Sequence, residues 1–222
     1  MGKDVANGYS LVTPMFQAIG SAGIDVQELN LIGNAPTDGT VNFQVLNTSR
    51  KMTKSFTFYG EGAGMTGDLV GWYDDNGSFE APDAFKILPG AALMLYVGVD
   101  NGGVQVAGQV PDAPAVYAIT AAGYYLIGNT MPVDIDIQDL LIGNGAKTDG
   151  TVNFQVLSAS RKMLKSFTYY GEGAGMTGDL AGWYDDNGSF EAPDTYTLKP
   201  GDSVMFYSPS EMTITINPPA VK

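Results

Sequence analysis

TDGTVNFQVLNTSRKMTKSFTFYGEGAGMTGDLVGWYDDNGSFEAPD, running from Thr37 to Asp83, recurs from Thr148 to Asp194 with five changes in 47 positions. The changes are Asn47/Ser158, Thr48/Ala159, Thr53/Leu164, Phe58/Tyr169 and Val70/Ala181. Every residue from Tyr59 to Leu69 recurs unchanged, so the two stretches are expected to fold alike and to show solvent the same surface twice. The stretch itself reads as β structure. Thr40–Leu46 alternates, with Val41, Phe43 and Val45 on one face and Asn42 and Gln44 on the other. Ser55–Tyr59 alternates likewise, and Asn76-Gly77 between aromatic runs predicts a type I′ hairpin turn within Gly71–Phe79.

Outward from the repeat, the two halves continue to align. Ile24–Leu29 matches Ile135–Leu140, Leu31–Asn34 matches Leu141–Asn144, and Gly8–Leu11 matches Gly123–Leu126. Leu93–Val97, Val104–Val110 and Met212–Ile216 predict further strands, while Ile24–Ile32 and its counterpart have room for one short helical turn. About seven short strands per half, spaced by turns, predict an all-β chain of two tandem β-sandwich domains, jelly-roll or immunoglobulin-like. The expected boundaries are residues 1–111 and 112–222, joined through the proline-interrupted Gln109–Pro114 stretch. Trp72 and Trp183 are expected in or over the two cores.

Composition narrows the function classes. Eleven Lys and Arg against 24 Asp and Glu give a net charge of −13, which disfavours nucleic acid and anionic membrane surfaces as partners. No apolar run approaches the length of a membrane span, so no membrane insertion is expected. Histidine and cysteine are both absent, which removes imidazole and thiolate chemistry and ordinary zinc sites. Met1–Ser10 shows no apolar signal-peptide core, a start shared by cytoplasmic chains and by exported chains after processing.

Three constellations could carry chemistry. Gly62-Ala-Gly-Met-Thr-Gly67 and its copy at Gly173–Gly178 match a dinucleotide-binding string, but β-like sequence follows where a helix is needed, so a glycine-rich loop is expected. Asp74, Asn76, Glu80 and Asp83, with Asp185, Asn187, Glu191 and Asp194, offer oxygen ligands of the kind calcium takes, although hairpin turns explain the same residues. Arg50, Lys51 and Lys54, with Arg161, Lys162 and Lys165, hold six of the eleven positive charges and are candidates for contact between copies. Glu61, Met65, Glu172 and Met176 on the unchanged loops join them as interface candidates.

Gly123-Tyr-Tyr-Leu-Ile-Gly-Asn-Thr-Met-Pro132, then Gly182-Trp-Tyr-Asp185 and Lys199-Pro-Gly201, resemble β-rich repeat domains of bacterial secreted and surface proteins. In those domains a GYNLIGNP opening precedes a P-G-x-G-F strand. The first half departs from the pattern at Leu11–Met15, and Pro200–Ser203 lacks the second glycine. The resemblance implies an exported β-domain of structural or adhesive role. With the doubled surface, it leads to the expectation of a non-enzymatic extracellular or surface protein that self-assembles into a filament, tube, ring or layer. Strand addition through Met1–Gly8 or Asn217–Lys222 is one expected route. The alternative is a carbohydrate-binding or adhesion module with glycan partners, using Trp72, Tyr73, Trp183 and Tyr184 as stacking platforms. A hydrolase with Glu61 or Glu80 as acid and Asp68 or Asp83 as base comes third.

Overall fold

A computed structural model of the chain describes residues 2–5, 7–13, 23–47, 49–87, 93–105, 113–143 and 145–217. The described residues are all-β apart from short 3₁₀ turns. The first half holds β1 (Gly2–Val5), β2 (Gly8–Val12), β3 (Ile24–Asp25), β4 (Asn30–Gly33) and β5 (Asp38–Leu46). It continues with β6 (Met52–Tyr59), β7 (Gly71–Asp74), β8 (Lys86–Ile87), β9 (Leu93–Val97) and β10 (Gly102–Gln105). The second half repeats the series as β11 (Ala115–Ile119), β12 (Gly123–Gly128), β13 (Ile135–Asp136), β14 (Leu141–Ile142) and β15 (Asp149–Leu157). It closes with β16 (Met163–Tyr170), β17 (Gly182–Asp185), β18 (Thr197–Leu198), β19 (Ser203–Ser208) and β20 (Met212–Ile216).

Each half forms one five-stranded antiparallel sheet, ordered β2-β9-β5-β6-β7 and β12-β19-β15-β16-β17. Beside it lie a three-stranded sheet, β1-β10-β4 or β11-β20-β14, and a strand pair, β3-β8 or β13-β18. The expected alternation of β5 holds at its core, since Val41 and Phe43 are buried and Asn42 and Gln44 face outward. Buried side chains form two clusters, one from each half. Phe43 and Phe56 stack at 5.0 Å and Trp72 meets Phe43 edge-on at 5.2 Å, contacts that add about 0.5–1.5 kcal/mol each to the area they bury.

Several expectations need correction. Among the described residues the count is ten strands per half, because the short pairs β3-β8 and β13-β18 and the edge pieces carry too few residues to show a period. Gly71–Phe79 is not a type I′ hairpin. Asp74 C=O accepts from Gly77 N–H at 2.7 Å, Asp74 Oδ1 accepts from Asn76 N–H at 3.0 Å, and neither Asn76 nor Gly77 has a positive φ. The aspartate's own side chain directs the turn. Gly2–Val5 is already paired antiparallel with β10 of its own half, so it is spoken for as an added strand. Val106–Val110, most of the Gln109–Pro114 junction and the tail beyond Asn217 lie outside the described residues.

The edge of each large sheet is closed by a side chain. The Gln27 amide donates to Trp72 C=O at 2.8 Å and Asp83 C=O at 2.7 Å, and its Oε1 accepts from Trp72 N–H at 2.9 Å. Gln138 does the same to Trp183 and Asp194. Gly71 has no side chain for a simple reason: a Cβ there would come within 2.4 Å of Gln27 Oε1. Gln27→Leu keeps the size and removes all three bonds, leaving part-buried backbone groups unmet, so the urea midpoint should fall by the equivalent of about 1–3 kcal/mol. An unchanged midpoint in chemical denaturation would show that water replaces the amide without loss.

Candidate functional site

The halves meet through reciprocal contacts. Arg50, in the β5–β6 loop, lays its guanidinium over the Tyr124 ring of the other half at 4.2 Å. Arg161, in the β15–β16 loop, lies over Tyr9 at 4.4 Å. These are the only two arginines in the sequence. The tyrosines extend the stacks, Tyr9 on Tyr96 at 4.9 Å and Tyr124 on Tyr207 at 5.0 Å. Both arginines take the left-handed conformation, at φ 61°, where a side chain costs about 1–3 kcal/mol. Each loop is closed from its first residue: Asn47 Oδ1 accepts from Lys51 N–H at 3.0 Å, and Ser158 Oγ accepts from Lys162 N–H at 3.1 Å. The Asn47/Ser158 difference therefore preserves the same device.

Backbone contacts reinforce this seam. Tyr9 N–H donates to Ala159 C=O at 2.8 Å and Thr13 N–H to Gly201 C=O at 3.1 Å, so the outer edge of β2 is covered. Gly8, at φ 119°, approaches Ala159 so closely that a Cβ would meet its carbonyl oxygen at 2.7 Å.

Where the outer sheet faces come together, a cleft of about 500 Å³ opens. Its lining comes in equivalent pairs, namely Gln44 and Gln155, Leu46 and Leu157, Arg50 and Arg161, Met52 and Met163, and Met94 and Met205. Register explains the set, since Gln44 pairs with Met94 across β5–β9 and Leu46 with Met52 across β5–β6. The cleft contains no acidic residue. Among the described residues neither guanidinium has a carboxylate partner or a hydrogen-bond acceptor, although Lys54, Lys86 and Lys165 all find aspartates.

Two acidic tips, formed by Asp75–Glu80 and Asp186–Glu191, sit apart from the cleft. Lys54 pairs with Asp74, and Lys165 with Asp185 at 2.6 Å. Asp83 Oδ2 accepts from Asp74 N–H at 2.8 Å, and Asp75 Oδ1 accepts from the Thr57 hydroxyl at 2.7 Å. The lysine bond, helped by the Asn76 or Asn187 N–H, holds the Asp74 and Asp185 carboxyls below their usual value of 3.8. Among the described residues no three acidic side chains gather into a metal-holding group; of the expected calcium ligands, Asp74, Asp83, Asp185 and Asp194 accept turn and strand hydrogen bonds, while Asn76, Glu80, Asn187 and Glu191 are exposed. Phe79 rests on Tyr73 at 5.5 Å yet stays 51% exposed, and Phe190 on Tyr184 stays 52% exposed.

The stacking-platform expectation is overturned. Trp72 and Trp183 are 0% and 1% exposed, and Tyr73 and Tyr184 are equally buried beneath Phe79 and Phe190. No sugar ring can reach them. Among the described residues the aromatic side chains that stand exposed are the two phenylalanines, which sequence reasoning passed over because Phe79 looked like the end of a strand. Of the basic candidates, Arg50 and Arg161 line the cleft, Lys54 and Lys165 hold the tips, and Lys51 and Lys162 are exposed. Glu61 and Glu172 are exposed on 3₁₀ turns, and Met65 and Met176 are half-buried. Gly62–Gly67 has no helix after it, only the 3₁₀ turn Gly67–Leu69 and β7, and the Gly62 N–H is taken by Thr37 Oγ1 at 3.0 Å. Gln27 and Gln138 were missed, and their identical placement 45 residues before each tryptophan was the one available signal. No helix among the described residues is long and apolar enough to cross a membrane. No family model matches the chain, and no curated protein or solved structure is significantly similar to it.

Two outcomes follow from this geometry. Gly8→Ala should part the halves, raising the radius of gyration in solution scattering and destabilising by about 1–3 kcal/mol through strain at positive φ; an identical scattering profile would remove the seam. Because Asp74 and Asp185 are depressed in the folded state, their contribution is present above the unfolded carboxyl value and disappears as pH falls through the folded one, below 3.8. Melting temperatures should thus show wild type losing its advantage over Asp74→Asn/Asp185→Asn between about pH 5 and pH 3; a constant difference would contradict the assignment.

Proposed function

We propose that the chain is a non-enzymatic structural protein that assembles with copies of itself outside the cell or at its surface. On this reading residues 1–111 and 112–222 are tandem β-sandwich domains that arose by internal duplication. The doubled tip supports it most directly. Each half presents a phenylalanine about half exposed, beside carboxylates, on a rigid sheet edge held by Gln27 or Gln138. Aromatic side chains are enriched at protein–protein contacts relative to the rest of a protein surface. Two equivalent contacts in one chain multiply affinity through effective concentration. A contact between unlike surfaces propagates unless its rotation closes, which suits filaments, layers and rings. The likeness of Gly123–Pro132 to repeat domains of secreted and surface proteins supports the location.

Sedimentation velocity over a concentration series, with negative-stain electron microscopy, tests the proposal. Wild type should form ordered oligomers whose size grows with concentration, and Phe79→Ser/Phe190→Ser should remain monomeric with unchanged circular dichroism. A wild-type chain that stays monomeric at the highest concentrations would end it.

A further inference from the structure

We infer that the cleft between the halves receives the tips, so that the acidic, phenylalanine-bearing tip of one copy seats on the Arg50/Arg161 cleft of a second. This rests on the assembly reading and adds the receiving surface to it. Charge complementarity chooses the occupant. In a chain with 24 acidic and 11 basic residues, both arginines face a cleft that contains no acid. Their flat faces are taken by Tyr124 and Tyr9, which leaves the N–H edges directed for in-plane carboxylate pairing.

The rest of the cleft suits an aromatic ring. Met94 and Met205 form its base, and Met52 and Met163 stand 54% and 58% exposed beside them. Unbranched thioethers adapt to an incoming ring and make favourable sulfur–aromatic contacts. The tip supplies the complement: Phe79 exposed, with Glu80 next to it exposed and unpartnered among the described residues.

A tip cannot fill the cleft of its own half. Phe79 packs on Tyr59, at one end of β6, while Met52 of the cleft is at the other end. Seven steps along a strand separate them by ~24 Å. The numbers also balance, with two tips and two equivalent half-clefts per chain.

Phe79→p-benzoylphenylalanine, irradiated in the full chain and mapped by mass spectrometry, reads the contact even when it is transient. Inter-chain cross-links to Met52, Met94, Met163 or Met205 are the expected result. Glu80→Lys/Glu191→Lys, which disturbs no internal contact, should weaken self-association by at least about tenfold. Mixing it with Arg50→Glu/Arg161→Glu should restore association. Cleft cross-links without ordered assemblies would uphold this contact and defeat the assembly reading. Ordered assemblies whose cross-links fall elsewhere would overturn the contact and leave that reading standing. A small amphiphilic carboxylate found in the cleft, excluding the tip, would also overturn it.

Discussion

The Gln27 carboxamide occupies the place that a further strand would take beside β7. It satisfies the N–H and the C=O of Trp72 with one rigid group and reaches Asp83 C=O with its second N–H. Trp72 C=O also accepts from Asp83 N–H at 2.9 Å, but Trp72 N–H would otherwise face outward at a sheet edge, open to strand pairing with a neighbour. Glutamate could accept but not donate there, and asparagine is one methylene too short for the same reach. From this clamp the rest of the edge follows. Trp72 is fixed against Phe43 and Phe58, Asp83 is brought under β7 to accept from Asp74 N–H, and the tip between them is tied down at both ends. The same chain of dependence runs through Gln138, Trp183 and Asp194 in the second half.

What could be read from the residues depended on the range of the interaction. Strands with an alternating pattern, such as Thr40–Leu46 and Met212–Ile216, were legible because burial on one face imposes a period of two. Asn76-Gly77 misled because its left-handed preference is intrinsic, whereas the turn that forms is set by Asp74 Oδ1 two residues earlier. The clamp lay 45 residues from its target, and the seam joins Arg50 to Tyr124, separations at which no local pattern survives. Tryptophan burial was legible only as one of two expectations, since a large ring serves a core or a platform equally well in sequence.

The two halves are alike, but they are not interchangeable. Trp72 Nε1 donates to Leu29 C=O at 2.9 Å, while Trp183 Nε1 is buried without a partner. An unmet buried donor costs about 1–3 kcal/mol, so the second half carries a local weakness near Tyr169, the position where the first half has Phe58. Across the seam Val12 also bridges antiparallel to Asp202 of the other half. Reciprocal arginine stacks give the pairing of the halves its near symmetry.

That arrangement bears on how contacts between copies could propagate. An isologous pair joined in one chain has used its self-complementary surface internally, so any further contact must join unlike surfaces. The tips and the cleft are unlike in charge, shape and position along β6, and each chain holds two tips and one cleft built from two equivalent halves. Because the tips are tied to sheet edges by glutamine and lysine and not hung on flexible loops, the ordering entropy of such a contact is largely met on folding. A surface charge pair contributes little by itself, so under the proposed contact it is repetition of one rigid surface that would carry the affinity.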